Sequence, residues 1–321
     1  MIEPYFYWMV LNFIYGIGPK TLSNIFSINK RLGFSISDLF MLSETELERV
    51  YGFKPSIRQK IKSHKKLHKK VLKTIKDLHN KGVRIISIDD PDYPLLLLKF
   101  LKLPPTVLYL YGNAELLKKQ TAGIFASRSL SWNSIFIAEK ICNEMSENDR
   151  PLIVGTSKEI YEYVSYETKK RRGENIIIVN FGVYDSKLNN LESEFRSFAQ
   201  LINKEFDIEK NLVISFVNPE YGWSISTEKE KNDIIFVLSD YVFGLEIRKN
   251  GIIYRNFVNA LGEEKKLYVV EYDDLSVTNR KIHRELIAKG CISYPVVPDK
   301  VHPEKVNWRQ LKRNLIKKES R

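Results

Sequence analysis

The sequence predicts an α/β protein whose doubly wound, mainly parallel sheet follows a helical N-terminal domain. After Gly82, short apolar runs alternate with helical stretches, which is the pattern of strands buried on both faces of a parallel sheet. Before Gly82, apolar residues recur at helical spacing around glycine turns, which indicates packed helices. Seven runs are predicted as strands: residues 83–88, 121–126, 150–155, 175–182, 211–217, 233–239 and 266–272.

Length and charge narrow the class of protein. A chain of 321 residues has room for two or three domains. We expect a helical domain over residues 1–82, the α/β domain over residues 83–292 and a basic tail over residues 293–321. The excess of 51 Lys and Arg over 39 Asp and Glu gives a net charge of +12, which favours an acidic partner such as nucleic acid or an anionic membrane surface.

Cysteine use and hydropathy indicate the compartment. Cys142 and Cys291 are too few for a disulfide framework or a metal cluster, so we predict a reducing cytoplasmic setting with no metal and no cofactor. The apolar stretch from Tyr5 contains Asn12 and follows Glu3, so it is interpreted as a packed helix rather than a signal sequence. Elsewhere the sequence contains no apolar run of about 18 residues, and no membrane partner is expected.

A repeat lies in the N-terminal domain. Residues 11–25 match residues 47–61 at an offset of 36, and the paired positions are Leu11 and Leu47, Ile14 and Val50, Tyr15 and Tyr51, Gly16 and Gly52, Pro19 and Pro55, and Ile25 and Ile61. Each copy is predicted as a helix, a glycine turn and a proline-opened helix, which is a helix-hairpin-helix or SAM-like pattern. Such turns hold nucleic-acid phosphates through backbone N–H groups. The predicted secondary DNA contacts are Gly16, Gly18, Lys20 and Lys54, and a packing module without DNA contact is the alternative.

A strongly basic segment follows the second copy. Residues 54–84 contain twelve Lys and Arg against the single acid Asp77, and an apolar stripe at helical spacing places the lysines on the solvent side. This face either neutralises phosphates or is an ordinary solvated surface. His64 and His68 are four residues apart without an evident third metal ligand, so they are predicted as surface histidines.

The segment GIFASRSLSW at residues 123–132 is predicted as a buried strand that turns into a helix. A phosphate at such a turn needs backbone donors, a helix N-terminus and preferably a guanidinium group. Ser127, Arg128, Ser129 and Ser131 supply these groups and are predicted to bind phosphate. The alternative is that they are helix caps beside a surface arginine.

Several short motifs occur in order along the chain. Residues 90–117 read DPDYPLLLLKFLKLPPTVLYLYGNAELL, and residues 231–240 read KNDIIFVLSD, with LIAKGC at residues 286–291. Together with the 123–132 segment they resemble the DNA-processing protein family DprA, also called Smf. The matching positions are Tyr93, Pro94, Leu97, Pro104, Pro105, Leu108, Gly112, Asn113, Ser127, Arg128 and Ser131. The chain departs from the family pattern at Ala126, where the family has glycine, and at Lys231 and Asp233, where it has arginines.

The resemblance implies an extended Rossmann-like fold and binding of single-stranded DNA, with a role in DNA processing and recombination. It extends the predicted phosphate site to Gly155, Lys231 and Asn232, and it implies a homodimer that loads RecA. Residues 80–282 contain no histidine and no recognisable nucleophile elbow or phosphate-binding glycine loop, so a non-enzyme is predicted. Two alternatives are an antitoxin-like regulator paired with a cognate toxin or an anti-phage system, and a nucleotide-processing enzyme.

Two sets of charged residues complete the sequence-based predictions. Glu228, Glu230 and Asp233 are interpreted as carboxylates of a solvated helix. The tail from Val297 carries eight Lys and Arg together with Trp308, which suits either single-strand stacking or a docked terminal helix.

Overall fold

The computed structural model describes residues 3–126, 130–156, 158–183, 206–271 and 277–295. The chain divides into two compact units. The first comprises Met1–Tyr111, Asn180–Ser186 and Ile214–Ser224, and the second comprises Gly112–Val179, Lys187–Val213 and Ile225–Arg321. Among the described residues, no helix combines the length and the apolar character that crossing a bilayer requires.

The first unit consists of helices and a short antiparallel ladder. Its helices are α1 (Pro4–Phe13), α2 (Pro19–Leu32), α3 (Ile36–Met41), α4 (Glu44–Tyr51), α5 (Pro55–Lys62), α6 (Lys65–Asn80) and α7 (Leu95–Phe100). Its strands are β1 (Val83–Ser87) and β2 (Val107–Gly112). These strands pair antiparallel, with Val83 opposite Tyr111 and Ser87 opposite Val107. The predicted N-terminal packed helix is α1, in which Trp8 and Leu11 are fully buried.

Both copies of the repeat have the predicted helix, glycine turn and helix. Gly16 and Gly52 have φ angles of +97° and +66°, a backbone region that residues with a Cβ atom rarely adopt. Pro19 and Pro55 stand at the first positions of α2 and α5, where a missing N–H is tolerated. The matching glycines and prolines therefore reflect the same backbone requirement in each copy.

The prediction that His64 and His68 are surface residues is wrong for His64. The His64 ring is buried and lies 4.6 Å from the Phe40 ring, and the His68 ring lies 5.0 Å from the Phe6 ring. Both histidines belong to the apolar stripe by which α6 packs, and burial lowers the pKa of each imidazole. Among the described residues no three potential metal ligands cluster.

The second unit is built on a parallel sheet. Its strands are β3 (Ala122–Phe125), β4 (Leu152–Gly155), β5 (Asn175–Val179), β6 (Asn211–Ser215), β7 (Tyr241–Gly244), β8 (Lys266–Glu271) and β9 (Ile292–Pro295). Their hydrogen-bonded order is β6-β5-β4-β3-β7-β8-β9. The pairs β3–β4, β4–β5, β3–β7, β7–β8 and β8–β9 are parallel. The predicted α/β class with a mainly parallel sheet is confirmed.

Within the described residues, five helices accompany this sheet: α8 (Trp132–Glu147), α9 (Glu159–Lys170), α10 (Ile225–Leu238), α11 (Ile252–Asn259) and α12 (Val277–Ala288). A short 3-10 helix, Ala114–Lys118, follows β2. The predicted strand at residues 233–239 is wrong, because residues up to Leu238 form the second half of α10. A continuous apolar run cannot distinguish a buried helix from a buried strand, and Ile234–Leu238 are all buried.

His283 fixes the loop that follows β7. It is fully buried, its Nε2 accepts the backbone N–H of Ile247 at 2.9 Å, and its Nδ1 donates to the carbonyl of Val270 at 2.7 Å. Burial lowers the pKa of His283, and this effect is opposed by the Val270 hydrogen bond and the charges of Glu246 and Glu271. The native fold therefore holds the neutral imidazole.

Lowering the pH is expected to destabilise the folded protein through His283. Below pH about 6.5 the unfolded chain protonates His283 while the folded chain resists protonation, so wild-type stability falls as the pH falls. His283→Gln lacks this proton uptake, and its stability deficit relative to wild type should shrink between pH 7 and pH 5. Urea denaturation at each pH measures this difference, and a deficit that stays constant with pH would contradict the assignment.

Candidate nucleic-acid interface

The order of strands in the second unit reverses at β3, and the region beyond the carboxyl ends of β3 and β7 is called the crevice below. The chain passes from β3 outward to β4 and later returns to the other side of β3 as β7. The loops that leave these two adjacent parallel strands diverge at their carboxyl ends, which is where open α/β sheets bind ligands. Leu245, the first residue after β7, donates its N–H to the carbonyl of Phe125 at the end of β3 at 2.9 Å. The two loops thus start from a common point.

Ser131 lies in this crevice as the N-cap of α8. Its Oγ accepts the backbone N–H of Ser134 at 3.1 Å and donates to Glu246 Oε1 at 2.7 Å. Ser134 Oγ donates to the same carboxylate oxygen at 2.5 Å. The carboxylate of Glu246 therefore occupies the positive end of the α8 dipole and takes the hydroxyl protons of both serines.

Gly155, at the carboxyl end of β4, allows a buried lysine to cross the strand. A methyl group on Gly155 would lie 2.8 Å from Ile235 Cδ1 and 3.1 Å from Lys231 Cε. Lys231 is fully buried, and its Nζ donates to the carbonyl of Thr156 and lies 2.8 Å from Glu228 Oε2. Burial lowers the pKa of Lys231, and the Glu228 carboxylate opposes that shift.

Asn232 forms hydrogen bonds with residues that follow the turn after β4. Its Oδ1 accepts hydrogen bonds from Lys158 Nζ at 2.7 Å and from the Tyr161 hydroxyl at 2.9 Å. Its Nδ2 donates to the carbonyl of Glu228 at 2.6 Å. Lys231 and Asn232 thus contact residues on both sides of position 157. Their contacts support the shape of the turn after β4.

The interpretation of the α10 carboxylates as simply solvated is wrong, because none of the three is fully exposed. Glu228 forms the ion pair with Lys231, and burial raises the pKa of Glu230 to about 7, with the charge of Asp233 adding to that shift. Asp233 accepts a hydrogen bond from Asn256 Nδ2 at 3.1 Å. The run of acids in the sequence concealed these contacts because most of them depend on tertiary structure.

The structure brings Gly155, Lys231 and Asn232 together at the end of β4. The loop before Ser131 is tied to the same region, because the Leu130 N–H donates to the carboxylate of Glu159 at the start of α9. The predicted phosphate ligands Ser127, Arg128 and Ser129 lie outside the described residues. Most of the basic tail, from residue 296 onward, also lies outside them.

The predicted secondary contacts lie in the first unit. Gly18 is the N-cap of α2 with open space around its Cα, and Lys20 is exposed in the first turn of that helix. Lys54 is the exposed N-cap of α5. Gly16 packs differently, since a methyl group there would lie 3.3 Å from Ile57 Cδ1 on α5. The first turn therefore contacts the second copy of the repeat.

Some polar residues at the sheet edge escaped the sequence-based prediction. Glu246 is 115 positions from Ser131, and Lys158 and Tyr161 are more than 70 positions from Asn232. No local spacing connects partners so far apart. Only the shared position of strand ends at one edge of a parallel sheet could have indicated them.

Comparison with known proteins places the chain in a family. A sequence model of DNA recombination-mediator protein A matches residues 84–300, which is more than half of the chain. The chain belongs to the DNA recombination-mediator protein A family. This membership connects it with DNA processing and recombination and confirms the resemblance seen in its motifs. No curated protein matches the chain.

Two solved structures of DNA processing protein A share the fold. The protein from Streptococcus pneumoniae matches with a TM-score of 0.66 at 17% identity, over 91% of this chain and 95% of that one. The protein from Helicobacter pylori matches with a TM-score of 0.51 at 15% identity, over 74% of this chain and 96% of that one. The Helicobacter structure concerns that protein's single-stranded DNA binding mode.

Several motif residues of the DNA recombination-mediator protein A family have structural contacts here. The Tyr93 hydroxyl donates to the carbonyl of Pro105 at 2.6 Å. Asn113 donates through its side chain to the carbonyl of Glu209 at 2.8 Å and through its backbone N–H to Asn211 at 3.0 Å. Tyr93 and Asn113 therefore join separate segments of the backbone by hydrogen bonds. This structural role explains part of the family motif without a ligand.

Proposed function

We propose that the chain is a non-catalytic, single-stranded DNA-binding protein of the cytoplasm that acts in DNA processing and recombination. The observation that carries the proposal is the family match over residues 84–300, which includes the whole segment around the sheet-edge crevice. A net charge of +12 suits a polyanionic ligand. The Helicobacter pylori relative, whose structure concerns single-stranded DNA binding, supports the choice of ligand.

In this proposal the crevice after β3 receives the DNA backbone. Ser127, Arg128 and Ser129 supply hydroxyl and guanidinium donors to a phosphate at the N-terminus of α8, and Ser131 joins them when its hydroxyl exchanges Glu246 for the phosphate. Gly155, Lys231 and Asn232 contribute mainly by holding the neighbouring turn, because Lys231 is enclosed and Asn232 is occupied by Lys158 and Tyr161. Gly16, Gly18, Lys20 and Lys54 are proposed as further contacts from the first unit.

Replacing Arg128 by alanine is expected to weaken single-strand binding severalfold, because it removes a charge-assisted hydrogen bond to phosphate. Fluorescence anisotropy with a labelled oligodeoxythymidylate at two salt concentrations measures the affinity and its salt dependence. Loss of one phosphate contact should make the slope of log K against log salt shallower by about 0.7. Arg255→Ala, on exposed α11 in the same unit, is the matched control. Equal affinities of Arg128→Ala and wild type would contradict the proposed phosphate site.

The family resemblance also leads us to propose a homodimer that delivers bound strands to RecA. Sedimentation of the full chain tests the dimer, and capture of purified RecA on immobilised protein with bound oligonucleotide tests the transfer partner. A monomer at micromolar concentration, or RecA capture equal to that of an unrelated basic protein, would contradict this extension while leaving DNA binding intact.

A further inference from the structure

An exposed aromatic segment follows β6 in the first unit. Tyr221 and Trp223 are 51% and 56% exposed, and Gly222 separates them. Isolated exposed apolar residues are common, but two large rings two positions apart in one loop are a concentrated apolar surface. The proposed DNA contacts do not include either residue.

The backbone that carries Tyr221 is held by hydrogen bonds. Asn218 donates through its side chain to the carbonyl of Asn12 at 3.2 Å and accepts the Glu220 N–H at 3.1 Å. The Tyr221 N–H donates to the Asn218 carbonyl at 2.9 Å, and the Tyr221 carbonyl accepts the Gly182 N–H at 2.7 Å. A ring on such a backbone loses little conformational entropy when a planar group stacks on it.

The lysine face of α6 lies beside this loop. Lys70 Nζ is 2.5 Å from Glu220 Oε2 and 4.8 Å from the centroid of the Phe13 ring. Lys70 therefore compensates the acid that directly precedes Tyr221. Lys66 and Lys73 lie about one helical turn to either side of Lys70 on the same face, and both are exposed. These cations thus share a helix face with Lys70, which contacts the residue directly before Tyr221.

We propose that Tyr221 and Trp223, together with Lys66, Lys70 and Lys73, form a binding surface for single-stranded nucleic acid. The bases stack on the two rings and the phosphates lie along the lysines, a combination that binds single strands with little sequence preference. The proposal rests on the proposed function in taking nucleic acid as the ligand, and it adds a contact surface separate from Arg128. Duplex DNA fits poorly, because its paired bases cannot stack on a protein ring.

The same features disfavour an anionic membrane as the occupant. A helix that lies in a membrane interface inserts its apolar face between the lipids. The apolar face of α6 is already committed to the protein interior, where Val71 and Leu78 are fully buried.

Aromatic substitutions test the stacking. In anisotropy titrations with oligodeoxythymidylate, Tyr221→Ala and Trp223→Ala should each lower the affinity about fivefold or more, whereas Trp223→Phe should retain most of it. Leu72→Ala, at a 54% exposed apolar position of α6, is the control and should bind like wild type. Thermal unfolding of each variant verifies the fold. The proposal is overturned if the alanine variants bind like the control, or if they lose duplex binding as strongly as single-strand binding.

Lysine substitutions test the charges. The double variant Lys66→Gln with Lys73→Gln should make the salt slope of single-strand binding shallower by about 1.4, the value for two phosphate contacts. Lys30→Gln with Lys102→Gln removes the same charge from exposed positions elsewhere in the first unit and should leave the slope nearly unchanged. Identical slopes for the two double variants would refute the lysine contacts.

Arg128→Ala in the same series separates the two proposals. If Arg128→Ala weakens binding and the aromatic variants do not, the crevice stands and the aromatic surface is refuted. If only the aromatic variants weaken binding, this surface stands and the crevice is refuted. If the wild-type chain binds no single strand, both are refuted. If the aromatic and lysine variants bind oligonucleotide normally but lose binding to vesicles of phosphatidylserine, the surface is a membrane site and the inference is wrong.

Discussion

Replacing Gly112 by alanine is expected to lower the free energy of unfolding by about 3 kcal/mol or more. Gly112 has a φ angle of +105°, and a methyl group on its Cα would lie 2.1 Å from the carbonyl oxygen of Asn211. That oxygen cannot move aside easily, because it accepts the N–H of Asn113 at 3.0 Å. The substitution therefore combines backbone strain with a clash between two main-chain segments.

Gly262→Ala is the matched control for this prediction. Gly262 lies in the same unit with a φ angle of +83°, and nothing lies within 4 Å of the position its methyl group would take. Its substitution should cost about 1 kcal/mol, the strain of the left-handed conformation alone. Urea denaturation gives the free energy of unfolding of both variants. The difference between their losses measures the clash of the added methyl group at residue 112 with the Asn211 carbonyl. Equal costs for the two variants would mean that the crossing at Asn211 relaxes freely.

Lys231→Ala is the second large effect, with an expected loss of stability of about 3 kcal/mol. The truncation leaves a void where the stem crosses Gly155, and it leaves the Thr156 carbonyl and the partly buried Glu228 carboxylate without their cation. Lys229→Ala, at the neighbouring exposed position of α10, should change stability by less than about 0.5 kcal/mol.

Two further variants separate the packing of Lys231 from its charge. Lys231→Met keeps most of the stem and should recover part of the loss, and Glu228→Gln should cost less in the Lys231→Met background than in wild type. Guanidinium denaturation followed by far-ultraviolet circular dichroism provides the four values. Additive effects of the Lys231 and Glu228 substitutions would show that the ion pair contributes nothing.

The sequence predicted the architecture well because burial on both faces leaves a clear local signal. Apolar runs near Ile124, Ile153 and Ile177 are strands, and the proline and glycine positions of the repeat mark the starts and turns of its helices. The same signal failed at residues 233–239, where the helix α10 is apolar on nearly all sides. The strands β2, β7 and β9 were not predicted. Their apolar residues lie within the motif at residues 90–117 or directly after the motifs at residues 231–240 and 286–291.

The candidate site was predictable only in part. Family motifs indicated Ser131, Gly155, Lys231 and Asn232, and the structure gives contacts to each of them. Their partners could not be predicted, because the Ser131–Glu246 contact joins residues 115 positions apart and depends on the order of the strands. Lys231, which the resemblance placed in the phosphate site, is fully buried. Sequence motifs therefore identify the region, and tertiary packing decides which side chains remain accessible.

The pairing of β3 with β7 has a consequence for how the chain folds during synthesis. Ala122 pairs with Tyr241, so the central ladder of the second unit closes a loop of about 120 residues. Contacts so distant in sequence slow folding, because the entropy of loop closure is lost before the pairing compensates for it. Until the ribosome has released residue 244, one edge of the apolar strand β3 stays without its partner. Nascent chains that stall before β7 are therefore the form in which we expect this protein to aggregate and to need a chaperone.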